Sequence, residues 1–280
     1  MTTGPADDTA LDRSIRVVVF TSGPVLEDGL RELLCQLESH ADTALMGVIW
    51  ESDGTTLADA WKDLRRRRGV LAPVLLALET ARRARRWLRP ARQRQLGAVL
   101  NQIEGRVHVV ADMHADPVLE KIGALAPDLG LSYGSPILRP ALFEIPSRGT
   151  LGIHHGKLPE YRGKKTPFWA IYHGEPSAGV TIQRLNAKLD AGEIVREGEV
   201  RVGRRTMGAV WRRLEALGVE LYLESILDFR AGRPQLGPAR GVKGRLFRDP
   251  KPRDIAVFWW RWLGRVIRGG PASRPPEARQ

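Results

Sequence analysis

A single cysteine, Cys35, occurs in 280 residues, so no intramolecular disulfide can form. That usage suits a reducing compartment, and its place in a stretch of helical periodicity reads as core packing, not as a nucleophile. No apolar run approaches the roughly 20 residues needed to cross a bilayer, and the first residues lack the basic-then-apolar pattern of a secretory signal. The expected location is the cytoplasm. Neither G-x-G-x-x-G nor H-E-x-x-H occurs, which removes the usual sequence arguments for a dinucleotide and for a zinc site. His108, Asp112 and His114 come nearest to a ligand cluster, and no metal is expected.

Basic charge is abundant. Lys and Arg number 44 against 32 Asp and Glu, a formal net charge of +12. Such a balance implies association with an anionic partner but is silent on chemistry. The length fits one domain with an appendage. Residues 1–12 read as a disordered tail, 13–245 as a catalytic body carrying a basic helical insertion at 57–98, and 246–280 as a basic, Trp-rich extension.

Ile15–Phe20 (IRVVVF) is a continuous β-branched run, the mark of a strand buried on both faces. Leu26, Leu30, Leu33, Leu34 and Leu37 then recur at helical spacing. Leu45–Trp50, Val107–Ala111 and Asp128–Tyr133 predict further strands, Pro117–Leu125 a helix, and Thr206–Phe229 a long helix that closes the body against its sheet. The fold class is α/β: a Rossmann-like, mostly parallel sheet flanked by helices.

Gly149–Val195 carries the chemistry. Thr150–Ile153 reads as a strand running into His154, His155 and Gly156, with Pro159 forcing a turn. Gly179–Leu185 predicts a second strand delivering a loop with Asp190 at its centre. In an open α/β sheet, ligands collect outside the carboxyl ends of the strands, where His154 would sit. An imidazole beside a carboxylate can take and return a proton near neutral pH, with the carboxylate fixing the tautomer and raising the imidazole pKa. The plainer alternative makes His154 a strand-end residue bonded to backbone and Asp190 a turn residue.

His154, Leu158-Pro159-Glu160-Tyr161-Arg162-Gly163, Gly179-Val180-Thr181 and Leu189-Asp190-Ala191-Gly192 stand in an order and spacing that resemble the formyltransferases dependent on 10-formyltetrahydrofolate. The resemblance implies formyl transfer from that co-substrate to an amine, with His154 and Asp190 catalytic. It also implies a folate pocket formed by Ser135, Pro136, Ile137, Leu138, Leu189 and Asp190. His155, Tyr161, Arg162, Lys164 and Lys165 are the candidates for contacting the acceptor. One departure stands out: the Asn of the family's Asn-x-His falls on Gly152. A side-chain amide that polarises the formyl oxygen is thereby missing, and losing one such donor costs about a hundredfold or more in rate where tested. His155, a backbone amide or an ordered water stands in for it, or the activity is lost.

The acceptor expected is an amino sugar on a nucleotide or lipid, with methionyl-tRNA and glycinamide ribonucleotide as alternatives. A different alternative is a catalytically impaired folate- or nucleotide-binding module. Val70–Leu78, flanked by Arg65–Arg68 and Arg82–Arg94, and Asp254–Arg268 with Trp259, Trp260 and Trp262 among arginines suggest peripheral contact with an anionic membrane ahead of nucleic acid. Against this stand a solvated basic face and a short helix docked through its tryptophans.

Overall fold

The computed structural model describes residues 13–23, 28–52, 101–238 and 244–268. The expected tail at 1–12 and basic insertion at 57–98 lie outside the described residues. Strand β1 (Ile15–Ser22) pairs in parallel with β2 (Thr43–Glu51) on one side and β4 (Leu129–Ser132) on the other. Val17 to Phe20 have no exposed surface, which is why the run is apolar without alternation. Beyond β2 lies β3 (Val107–Val110), and beyond β4 lies β5 (Thr150–His154), both parallel.

The direction then changes. Strands β7 (Ser177–Arg184) and β8 (Glu193–Arg201) continue the sheet antiparallel to give the order β3-β2-β1-β4-β5-β7-β8. β5 is thus internal, with a parallel neighbour on one edge and an antiparallel one on the other. β8 has no counterpart in the sequence expectations, since EIVREGEVR buries only Ile194, Val195 and Val200 and is otherwise charged.

Apolar layers cover both faces. Helices α1 (Asp28–Ser39) and α5 (Met207–Arg230) lie over one, where Leu30, Leu33, Leu34 and Leu37 meet Val210, Leu214, Tyr222 and Ile226. On the other, Val18, Phe20 and Ile49 pack with Ile122 of α2 (Asp116–Ala124) and with Leu142 and Phe143 of the short α3 (Pro140–Phe143). Thr206 caps α5 by accepting from the Ala209 amide. Tyr222, wholly buried, sets its hydroxyl 2.8 Å from the Ser132 carbonyl and 2.9 Å from that of Leu151, tying α5 to the ends of β4 and β5.

Strand β6 (Tyr161–Gly163) pairs in parallel with β9 (Arg245–Phe247) as a separate two-stranded ribbon. The boundary expected at 245/246 therefore falls inside a strand that is paired with the catalytic body. Helix α4 (Thr166–His173) follows β6 and receives α6 (Pro252–Arg268), whose Phe258 is 4% exposed and stacks on Phe168 with ring centroids 4.8 Å apart. Ile255 and Trp262 pack on the same side. Truncating a buried aromatic ring costs about 3–5 kcal/mol. Phe258→Ala should release α6, read as faster limited proteolysis within residues 252–268, and unchanged protection would show that other contacts hold the helix.

Candidate active site

β5 delivers His154 to the carboxyl edge of the sheet, and the next turn folds back over it. Nε2 of His154 lies 2.6 Å from the Tyr161 carbonyl, which can only accept, so Nε2 carries the hydrogen. That bond needs Gly156, where a Cβ would stand 2.6 Å from both Nε2 and the Tyr161 oxygen. Nδ1 keeps its lone pair and faces Oδ1 of Asp190 at 3.6 Å, with both side chains about nine-tenths buried.

Asp190 is held as firmly. Its backbone is left-handed at φ 50°, and its Oδ2 accepts from the Gly163 amide at 2.9 Å. Arg162 donates to the Leu189 carbonyl, and Asn186 Nδ2 donates to the Ala191 carbonyl at 2.8 Å, so the loop is fixed on both sides of Asp190. Thr181, opposite His154 in the strand pair, donates to the Gly156 carbonyl at 2.8 Å.

Burial holds the His154 imidazole below its ordinary pKa. Asp190 pulls in the other direction, aided by the Tyr161 contact, while His155 and Arg162 add to the lowering. Two expectations are corrected here. The Tyr161 carbonyl, not Asp190, sets the tautomer, and desolvation outweighs the carboxylate. The ring is therefore neutral near pH 7, with a basic Nδ1 beside a carboxylate able to stabilise the imidazolium once it forms.

Gly152 is paired with Ser132 on β4 and Gln183 on β7. A Cβ there would come within 2.6 Å of Leu185 Cδ2, so an apolar side chain fills the space that an Asn at 152 would enter. His155 does not reach this place. Its ring lies 4.7 Å from Trp211 and its Nε2 3.2 Å from Glu215 Oε1, both on α5, and Tyr133 donates to the other oxygen of Glu215 at 3.0 Å. Adjacent strand residues point to opposite faces, and His155 follows that rule.

The other predicted residues separate into two groups. Tyr161 and Arg162 are buried: Tyr161 stacks on Phe247, donates to Glu175 at 3.0 Å and has its phenol held well above the usual pKa by burial and by Glu175. Arg162 supports the Asp190 loop and does not project as a phosphate contact. Lys164 and Lys165 are exposed at the start of α4. Ser135 turns inward, its hydroxyl 2.6 Å from that of Ser132 and 3.0 Å from the Pro136 carbonyl; Leu138 is buried, whereas Ile137 is 72% and Leu189 47% exposed. Gln183 and Leu185 were not singled out in the sequence, because only strand register brings them to Gly152.

Two other features lie apart. One ligand atom each from Glu51, Asp112 and His114 fall within 4.8 Å of one another, but they accept from the Met113, His114 and Arg139 amides and so organise their loops. A cleft of about 350 Å³ opens near the start of β5, lined by residues including Phe143, Thr150, Arg184 and Leu185. Neither His154 nor Asp190 lines it.

The family model described as formyl transferase matches residues 15–226. Methionyl-tRNA formyltransferase of Listeria monocytogenes is 36% identical over 152 residues, 53% of this chain and 48% of the relative. That of Chloroflexus aggregans is 37% identical over 149 residues, 51% and 48%. The chain spans about half the length of these curated relatives. Among solved structures, phosphoribosylglycinamide formyltransferase from Anaplasma phagocytophilum aligns with a TM-score of 0.56 at 18% identity, covering 79% of this chain and 89% of that one. A candidate sugar N-formyltransferase from Mycobacterium tuberculosis aligns at 0.55 and 17%, covering 91% and 87%. These neighbours share the fold, a mostly parallel α/β sheet flanked by helices. The chain belongs to the formyl transferase family.

An NMR titration of His154 should give a pKa below 6.5, and Asp190→Asn, which removes the charge favouring the imidazolium, should lower it further. A value at or above 6.5 in the parent would contradict the burial argument. The linked stability has a definite sign. With the folded pKa depressed below the unfolded one, the unfolded chain takes the proton first, so this group destabilises the fold as pH drops below about 6.5.

Proposed function

We propose that the chain transfers the formyl group of 10-formyltetrahydrofolate to the amine of an amino sugar carried on a nucleotide or lipid. The observation that carries this reading is the His154 ring at the end of an internal strand, its Nε2 donating to the Tyr161 carbonyl and its Nδ1 turned to Asp190. The neutral amine nitrogen attacks the formyl carbon. Nδ1 takes the proton that the nitrogen sheds, Asp190 stabilises the imidazolium, and Nδ1 returns that proton to N10 as collapse of the tetrahedral adduct breaks the bond between the former formyl carbon and N10. No covalent enzyme intermediate is involved.

The exposed side chains of Ile137 and Leu189 on the two loops implied to hold the folate give apolar surface for a flat heteroaromatic ring. Lys164 and Lys165, exposed between β6 and α4, suit the phosphates of a nucleotide-linked acceptor. Initiator methionyl-tRNA is the second reading, favoured by the identity to the two methionyl-tRNA formyltransferases and by the net charge of +12.

α6 supplies a partner surface. Trp260, Leu263 and Ile267 recur at helical spacing and are 78%, 47% and 72% exposed, on the side away from the docked Phe258 and Trp262. An exposed Trp-bearing apolar stripe on a chain of net charge +12 fits an anionic lipid surface, where tryptophan sits at headgroup depth and basic charge is attracted. No helix among the described residues is long and apolar enough to cross a membrane, and the contact proposed is a peripheral one.

Two measurements test these statements. Tetrahydrofolate release from 10-formyltetrahydrofolate should depend on an amino-sugar nucleotide in a panel that includes initiator methionyl-tRNA and glycinamide ribonucleotide; turnover of the tRNA with indifference to every amino sugar would replace the acceptor. The protein should co-sediment with vesicles containing phosphatidylglycerol and not with pure phosphatidylcholine. Trp260→Glu should abolish that binding, and equal recovery of variant and parent would remove α6 from the contact.

A further inference from the structure

Gln183 stands directly across the strand pair from Gly152. Residues facing each other in an antiparallel pair project from the same face, with Cβ positions about 4.5–5.5 Å apart. Its side chain therefore leaves β7 on the face that bears His154 and Thr181, beside the position where the family resemblance implies an asparagine. The residue is 4% exposed.

The orientation of this carboxamide is determined by its partners. Gln183 Oε1 accepts from the Gly192 amide at 3.1 Å, and a backbone N–H can be met only by the oxygen end. Nε2 consequently points into the site, 3.5 Å from Asp190 Oδ1, the same oxygen that His154 Nδ1 faces. That contact sits at the outer limit of a hydrogen bond. The second N–H of the amide makes no hydrogen bond among the described residues.

We infer that Gln183 is the formyl-polarising amide of this chain, donating from across the strand pair in place of the asparagine absent at position 152. During attack, negative charge gathers on the former formyl oxygen, and a buried, pre-oriented N–H lowers the energy of that oxyanion without reorganising. Leu185, whose Cδ2 would stand 2.6 Å from a Cβ at 152, fills the vacated side with apolar surface. The glycine and the glutamine are then two parts of one exchange, in which the amide moves from one strand to its neighbour.

This inference rests on the folate reading, and the experiment separates the two. Isothermal calorimetry of the full chain with 10-formyltetrahydrofolate and with tetrahydrofolate should show a preference for the formylated ligand. Gln183→Met, of similar volume but lacking an amide, should erase that preference and leave tetrahydrofolate affinity unchanged. With the acceptor found by the panel, the same variant should lower kcat by about a hundredfold at unchanged KM. Adding Gly152→Asn and Leu185→Ala should recover most of the loss. A Gln183→Met variant that keeps the formyl preference and the parent kcat would overturn the role of Gln183. If the parent binds neither ligand, the folate reading fails and takes this one with it. If all affinities fall together in Gln183→Met, the residue only supports the Gly192 loop and the donor role is overturned.

Discussion

The hydrogen bond from His154 Nε2 to the Tyr161 carbonyl is the constraint on which the site depends. It is made to backbone, so no change of side chain at 161 removes the acceptor, and it leaves the other ring nitrogen as the only base. Everything around it preserves that geometry. Gly156 gives the turn room, Thr181 ties the turn to β7, and Thr166 donates to the His155 carbonyl beyond it. Stacking of Tyr161 on Phe247 pins the strand that carries the acceptor, with β9 paired alongside. The C-terminal segment thus contributes to the tautomer of a histidine that it never touches.

Electrostatics and burial act on the same ring in opposite senses. A His–Asp pair in water would favour the charged imidazole, but here the ring has lost its hydration and burial wins. For the transfer proposed above, the consequence is a base that begins neutral and a carboxylate that contributes most at the moment when the imidazolium forms. The Gly163 amide on Asp190 Oδ2 serves this balance by keeping the carboxylate in place without adding a second full charge.

How much of this was legible beforehand depends on the range of the cause. Ile15–Phe20 announced β1 because a strand covered on both faces needs an unbroken apolar run, and the long helix over 207–230 announced itself through repeats of Val210, Leu214 and Leu221. The convergence of His154 and Asp190 followed from reading Thr150–Ile153 and Gly179–Leu185 as neighbouring strands. β8 escaped because its charged residues mask a strand held by pairing, and α4 escaped inside a stretch read for its motifs. Tyr161 and Arg162 were read as acceptor contacts from their place beside the motif, whereas the structure turns both inward. His155 was weighed as a replacement donor because adjacency in sequence resembles adjacency in space. Strand alternation sends it to α5 instead.

Register explains the rest. A chain read along its length shows Gly152 as a missing group, for which the sequence offers only the nearby His155, a backbone amide or an ordered water. Read across the sheet, the same position has a glutamine opposite it and a leucine over it, 31 and 33 positions later in the chain. Leaving a polar pocket empty beside a buried carboxylate is costly, as unmet donors and acceptors lose their hydration without compensation. The local arrangement avoids that cost twice: apolar atoms of Leu185 fill the space, and the Gln183 amide has its oxygen engaged by the Gly192 N–H. On the reading inferred above, the glycine marks a relocated function and not a lost one, because the Gln183 amide is buried, oriented by the Gly192 N–H and 3.5 Å from the aspartate oxygen that His154 faces.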